Sequence, residues 1–131
     1  MTTPVSDLAE LLRTMRPTVL PDEYVFVEVD EGRLADLSYA ALVREAEGIG
    51  VVMRRQDADE AGLGYDFVAA WITLTVHSDL AAVGLTAAFA TALGAEGISC
   101  NVIAGLRHDH LLVPVERRQD ALDALARLAS S

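Results

Sequence analysis

The chain has 131 residues, 52% of them hydrophobic, and a formal net charge of −10. That length and apolar share support one domain, or two very small packed halves, and argue against global disorder. All basic charge comes from Arg, since no Lys is present, and so acidic a surface repels phosphate backbones and anionic lipid, which disfavours nucleic-acid and membrane partners. No apolar run approaches the roughly 18 residues of a spanning helix. The opening MTTPVSDLAELL lacks the basic-then-apolar order of a secretory leader. The single cysteine, Cys100, cannot close an internal disulfide, so a reducing cytoplasm is the expected compartment.

In chain order, Ser6 or Asp7 can cap a first helix whose Leu8, Leu11, Leu12 and Met15 recur at helical spacing. Pro17 and Pro21 end it and enforce an extended connection. Residues Tyr24 to Val29 alternate, with Val25, Val27 and Val29 on one face and Tyr24, Phe26 and Glu28 on the other, the pattern of a half-buried strand. The acidic turn DEG precedes an expected helix from Ser38 to Glu45, a strand over Ile49 to Arg54 and a short acidic helix ending at Gly62.

A glycine-containing break at 63–66 opens a second unit. Ile72, Leu74 and Val76 share one strand face, and Trp71, Thr73, Thr75 and His77 the other. A helix from Leu80 to Ala95 aligns Leu85, Phe89, Ala92 and Leu93, with Gly97 as its left-handed terminator. Strands over Ser99–Ala104 and His110–Val115 follow, then a helix from Arg117 to Ala129 that buries Leu122, Leu125 and Leu128. This β-α-β-β-α unit is one strand short of a β-α-β-β-α-β sandwich. The strand at 24–29 or at 49–54 is the natural donor, which would make the halves interdependent.

The residues TLTVHSDLAAVGLTAAFATALGAEGISCNVIAG resemble an ACT domain, the small-molecule sensing module of amino-acid metabolism. More closely, the chain is similar to small stand-alone bacterial ACT-domain proteins that pair an N-terminal ACT-like half with a C-terminal ACT half. ITLTVHSDLAAVGLTA and GISCNVIAGLRHDHLLVPVERRQDALDAL carry that similarity, which extends more weakly through LAELLRTMRPTVLPDEYVF. The resemblance implies an α+β fold of two interlocked ferredoxin-like βαββαβ halves, with antiparallel sheets and helices on one face. It divides the chain into an N-terminal ACT-like half (1–64) and a C-terminal ACT domain (65–131). It also implies amino-acid binding between ACT units, with contacts from the loop His77 to Leu85 and the facing strand Ser99 to Ile103. The common ACT loop has an acidic or amide residue followed closely by Pro-Gly, whereas here Asp79 is followed by Leu80-Ala81-Ala82-Val83-Gly84.

The residues of this junction admit two readings each. Asp79 can face a ligand ammonium or cap the helix; Ser78 divides the same way between a ligand carboxylate and capping. Gly84, inside a helical pattern, costs about 1 kcal/mol relative to Ala, so either another backbone packs closely there or a ligand approaches the N–H groups of residues 83 to 85. Asn101 is unfavourable in mid-strand and needs partners for its amide. Cys100 behaves as a small hydrophobe. His108 and His110 project to one strand face and, with His77, suggest zinc chelation, yet the H-x-H pattern is short and the ordinary outcome is a half-exposed strand histidine. No nucleophile elbow or phosphate loop is present.

The expected function is therefore non-catalytic binding of a small ligand, an amino acid, that alters association of units in a homodimer or higher homo-oligomer, with no cofactor. The expected contacts are Ser78, Asp79, Leu80, Val83, Gly84, Leu85, Ser99, Cys100, Asn101 and Ile103. The carboxylate would sit at the helix tip, where the macrodipole contributes about half a positive charge; Asp79 and Asn101 would hold the ammonium and Ile103 the side chain. The alternatives are a ligand-free scaffold and a small metal-dependent enzyme built on His77, His108 and His110.

Overall fold

A computed structural model describes residues 8–75 and 84–130. Helix α1 (Leu8–Thr14) leads into strand β1 (Arg16–Val29), followed by a 3₁₀ segment over Glu31–Asp36. Strands β2 (Ala41–Glu45) and β3 (Gly48–Arg54) pair as a hairpin, and helix α2 (Arg55–Glu60) leads to β4 (Val68–Thr75). Helix α3 (Leu85–Ala95), strands β5 (Asn101–Ala104) and β6 (Asp109–Pro114), a 3₁₀ turn over Val115–Arg117 and helix α4 (Arg118–Ser130) complete the order. The strands form one six-stranded antiparallel sheet, β2-β3-β1-β4-β6-β5.

Each half borrows its fourth strand. The first half supplies β1, β2 and β3 and takes β4; the second supplies β4, β5 and β6 and takes β1. Counted within each half, both show the ferredoxin-like order 2-3-1-4 about a pseudo-twofold axis through the β1–β4 pair. The α+β, ferredoxin-like fold expected from the sequence is the one observed. The strand completing the second half is β1, not the strand at 49–54.

β1 reaches that role by being longer than its alternation suggests. It starts at Arg16, and both Pro17 and Pro21, expected in a connection, lie inside it. Arg16–Val19 pairs with β4 alone, because the β3 register begins at Tyr24. A register shift between Val19 and Glu23 then absorbs Pro21. Proline, lacking an N–H, is tolerated at such one-sided or bulged positions.

A second difference concerns Ser38–Glu45. No helix forms there; Ala41–Glu45 is strand β2. Leu42 sits opposite Val51 and packs on the core, while Val43 is 60% exposed. Cross-strand packing outweighs the weak helical preference of so short a segment.

Two clusters fill the helix-covered face. Leu11, Met15, Ile72, Leu74, Phe89, Leu93, Leu111 and Leu125 lie among α1, α3, α4 and the β4–β6 pair. Val25, Val27, Val51, Met53 and Ala58 lie under α2 and the first 3₁₀ segment, with Leu34 and Leu37. Burial of each large side chain contributes about 1.5–3 kcal/mol. The opposite face carries a smaller cluster of Tyr24, Val52, Ala69, Trp71 and Leu112. Gly97 ends α3 as expected, with φ +71° and Ile98 N–H bonded back to Leu93 O at 3.0 Å, a Schellman closure.

Residues 65–131 produced alone leave β4 without β1 and expose Ile72 and Leu74. Circular dichroism of that fragment should show no cooperative thermal transition, and adding residues 1–64 should restore one. A cooperative transition in the fragment by itself would refute the exchange of strands as a folding requirement.

Candidate functional site

The junction between β4 and α3 is set by one glycine. Gly84 is not interior to the helix, as periodicity suggested, but is its N-cap, with φ 104° and ψ −22°. That left-handed backbone is open to glycine and costly for other residues. A Cβ at this position would also lie 3.1 Å from Leu8 Cδ2. Backbone conformation and packing by α1 together account for the glycine. Because it has no side chain, Gly84 gives the first turn of α3 no side-chain cap, although helix starts are rich in unsatisfied N–H groups. Leu85 turns inward, 4% exposed, into the core beneath α3. Ser78, Asp79, Leu80 and Val83, together with His77, lie outside the described residues.

The strand side of the predicted site divides between two faces. Cys100 is half-buried and packs beneath the helices, and burial pushes its thiol up to about 11. Ser99 is exposed just before β5. Asn101 and Ile103 stand on the opposite face, since their cross-strand partners are Leu112 and His110. Asn101 is exposed and donates through Nδ2 to Leu112 O at 3.5 Å; Ile103 joins the cluster around Trp71 and Leu112. Asn101 also lies level with Trp71, four residues short of the end of β4, or about 13 Å along the strand. Within one chain Asn101 and the tip of α3 therefore do not converge. β5 is an edge strand, so Asn101 is presented to whatever meets that edge.

Several arginines and the tryptophan find partners within the chain. Arg54 holds Asp57 through two bonds of 2.9 and 3.1 Å, and Arg55 reaches Tyr65 and Glu23 at 2.9 Å each. Arg117 bonds Asp120 at 2.8 Å and the carbonyl of Glu96 at 3.0 Å, closing the C-terminal end of α3. Trp71 packs on Tyr24 and on His110, with ring centroids 5.1 and 5.3 Å away. Among the described residues no group of three or more His, Cys, Asp or Glu is placed to hold a metal ion.

The pseudo-twofold axis exposes a second locus that residue patterning did not single out. The counterpart of the loop after β4 is the segment after β1, where Asp30 and Arg33 line a cleft of about 260 Å³ with Glu28, Val29 and Leu63. The turn DEG marked this place, but no sequence repeat ties it to Ser78-Asp79; only the sheet order does.

Comparison with known families agrees with this geometry. ACT-domain family models match residues 3–70 and residues 67–127. The chain belongs to the ACT-domain family. Its two ACT matches meet at the start of β4, the strand the halves share. A Vibrio cholerae protein of unknown function, described as a possible transport protein, is 46% identical over 93% of this chain and 95% of its own, with a TM-score of 0.85. The regulatory subunit of aspartate kinase from Thermus flavus is 11% identical over 86% of this chain and 95% of its own, at a TM-score of 0.65. In Escherichia coli aspartokinase III, solved with aspartate and ADP, 92% of this ACT chain matches 34% of that one, with 13% identity and a TM-score of 0.63. Those two likenesses show a shared fold. No match was found among curated protein sequences.

Two outcomes test the local geometry. Gly84→Ala should lower stability by about 1–2 kcal/mol, the cost of a left-handed non-glycine residue, and adding Leu8→Ala should recover only the packing share, read by denaturant unfolding. Cys100 should resist a thiol reagent at pH 8 until the protein unfolds, because its thiolate is scarce below a pKa of about 11; rapid labelling of the native protein would contradict its burial.

Proposed function

We propose that this ACT-domain protein is a non-catalytic regulatory module that binds an amino acid and acts by changing how its units associate. Family membership in both halves supports a small-ligand role. The observation that supports the site is the tip of α3, where a left-handed glycine is the N-cap and supplies no capping side chain to the first N–H groups. A ligand carboxylate meets those N–H groups, favoured by the helix dipole. Ser78 and Asp79, six and five residues before Gly84 in sequence, supply a hydroxyl and a counter-charge for the ammonium.

Asn101 stands apart from this pocket in its own chain. In the proposal it enters from the edge strand of a second copy, so the ligand bridges units and binding is coupled to association by about 1–3 kcal/mol. A second reading, a ligand-free scaffold, draws on the two open sheet edges and on Phe26 and Val43, which are 41% and 60% exposed.

A thermal-shift panel of the common amino acids separates the two. A true ligand at a hundred times its dissociation constant adds about 2.7 kcal/mol of stability. Asp79→Ala should abolish that shift, and Asn101→Ala should weaken it together with ligand-dependent dimerisation measured by analytical ultracentrifugation. No shift with any amino acid, in a protein that still self-associates, would favour the scaffold.

A further inference from the structure

The pseudo-twofold axis relates two hairpins whose turns carry opposite charge. The β2–β3 turn of the first half reads Glu45-Ala46-Glu47-Gly48, and its counterpart, the β5–β6 turn of the second half, reads Gly105-Leu106-Arg107-His108. We propose that the sheet face away from the helices docks a second copy of this chain, the Leu106-Arg107 tip of each copy seating in an acidic trough beside the β2–β3 turn of the other.

The trough is made by two absent side chains. Gly48 and Gly50 alternate on the open face of β3, where Val43 and Glu28 flank Gly50 and Glu45 is paired with Gly48. With Phe26 also lining it, the cleft measures about 360 Å³. Two acids lean over the glycine floor: a Cβ on Gly48 would lie 2.5 Å from Glu28 Oε2, and one on Gly50 would lie 3.9 Å from Glu45 Oε1. Phe26 and Val43 are exposed, whereas Tyr24, Val52, Trp71 and Leu112 of the same face are buried. Glu28, Glu45 and Glu47 are exposed, and among the described residues no arginine pairs with them.

The other hairpin carries the complement. Gly105 N–H donates to His108 O at 2.9 Å and closes the turn. Leu106 at the tip is 76% exposed, and Arg107 beside it is exposed with no ion pair among the described residues. Leucine placed beside Phe26 and Val43 removes apolar surface from water on both sides. The guanidinium brings a planar fork of donors to the carboxylates. At a net charge of −10 two copies repel at long range, so their contact has to set opposite charges in register. Symmetry then selects face-to-face packing. Joining the β2 edge of one copy to the β5 edge of the next leaves one edge of each kind free and propagates into a filament. A twofold axis lying between the two open faces fills both seats at once and closes the pair. This contact lies on the side of the sheet away from α3 and does not depend on the ligand reading.

Sedimentation of the full chain over a concentration series, with no amino acid present, should show a monomer–dimer equilibrium. Two variants set like charges against each other in both seats: Arg107→Glu, and the pair Glu45→Arg with Glu47→Arg. Each should raise the dimer dissociation constant by about a hundredfold or more, since like-charge juxtaposition at an interface is strongly unfavourable. Mixing the two variants restores opposite charges in both seats, and the one-to-one mixture should form a heterodimer, which a misfolded variant could not do. Gly50→Val fills the trough without altering charge, at a strand position where a Cβ meets only Glu45 at ordinary contact distance; it should dissociate the dimer while the far-ultraviolet spectrum is unchanged. A monomer throughout the series, a dimer indifferent to Arg107→Glu, or a mixture that stays monomeric would overturn the proposed seat; the first measurement needs no variant to fold.

Discussion

The antiparallel pairing of β1 with β4 is the contact on which the rest of this molecule depends. Each strand serves as first strand of its own half and fourth strand of the other. Removing either opens two sheets at once, since β1 also carries β3, and β4 also carries β6. The arrangement requires β1 to be long, and that length brings prolines into a strand where they are ordinarily excluded. The register shift between Val19 and Glu23 is how the chain accommodates this: before it β1 pairs only with β4, at Tyr24 and Val25 with both neighbours, and from Phe26 to Val29 only with β3.

The same seam organises the two faces. On the helix side, Val25 and Val68 lie opposite each other across the seam, both within the apolar cluster of the first half. On the other side Tyr24 and Trp71 pack across the seam, and Trp71 is bonded through Thr73 toward His110. The proposed ligand position lies at the helix tip on the far side of the sheet, close to α1.

Legibility in the sequence varied with the physics of each element. The alternation of Val25, Val27 and Val29, and of Ile72 and Leu74, reported strands with one buried face because period-two burial is local. The stripe of Leu85, Phe89 and Leu93 reported α3, and Gly97 its end, because helix termination depends on neighbouring backbone groups. The segment Ala41–Glu45 is strand against its local helical pattern, since its conformation is imposed by β3. Gly84 is the N-cap rather than a helical residue, and a residue at the helix boundary and one a turn inside it look alike until φ is known.

For the site, the sequence offers the kinds of group: a glycine in a helical pattern, an acid and a hydroxyl ahead of it, an amide in a strand. It placed Asn101 on the opposite strand face from Cys100 and Val102, as strand geometry demands. Which of these groups share a space is a property of layer and register, and neither is written in local composition. Only the tertiary structure put Asn101 on the sheet face away from α3, made the segment after β1 the topological counterpart of the one after β4, and joined His110 to Trp71 through Thr73. Side-chain identity and period come from the chain itself, whereas proximity between residues 37 positions apart exists only once the β4–β6 register brings them together.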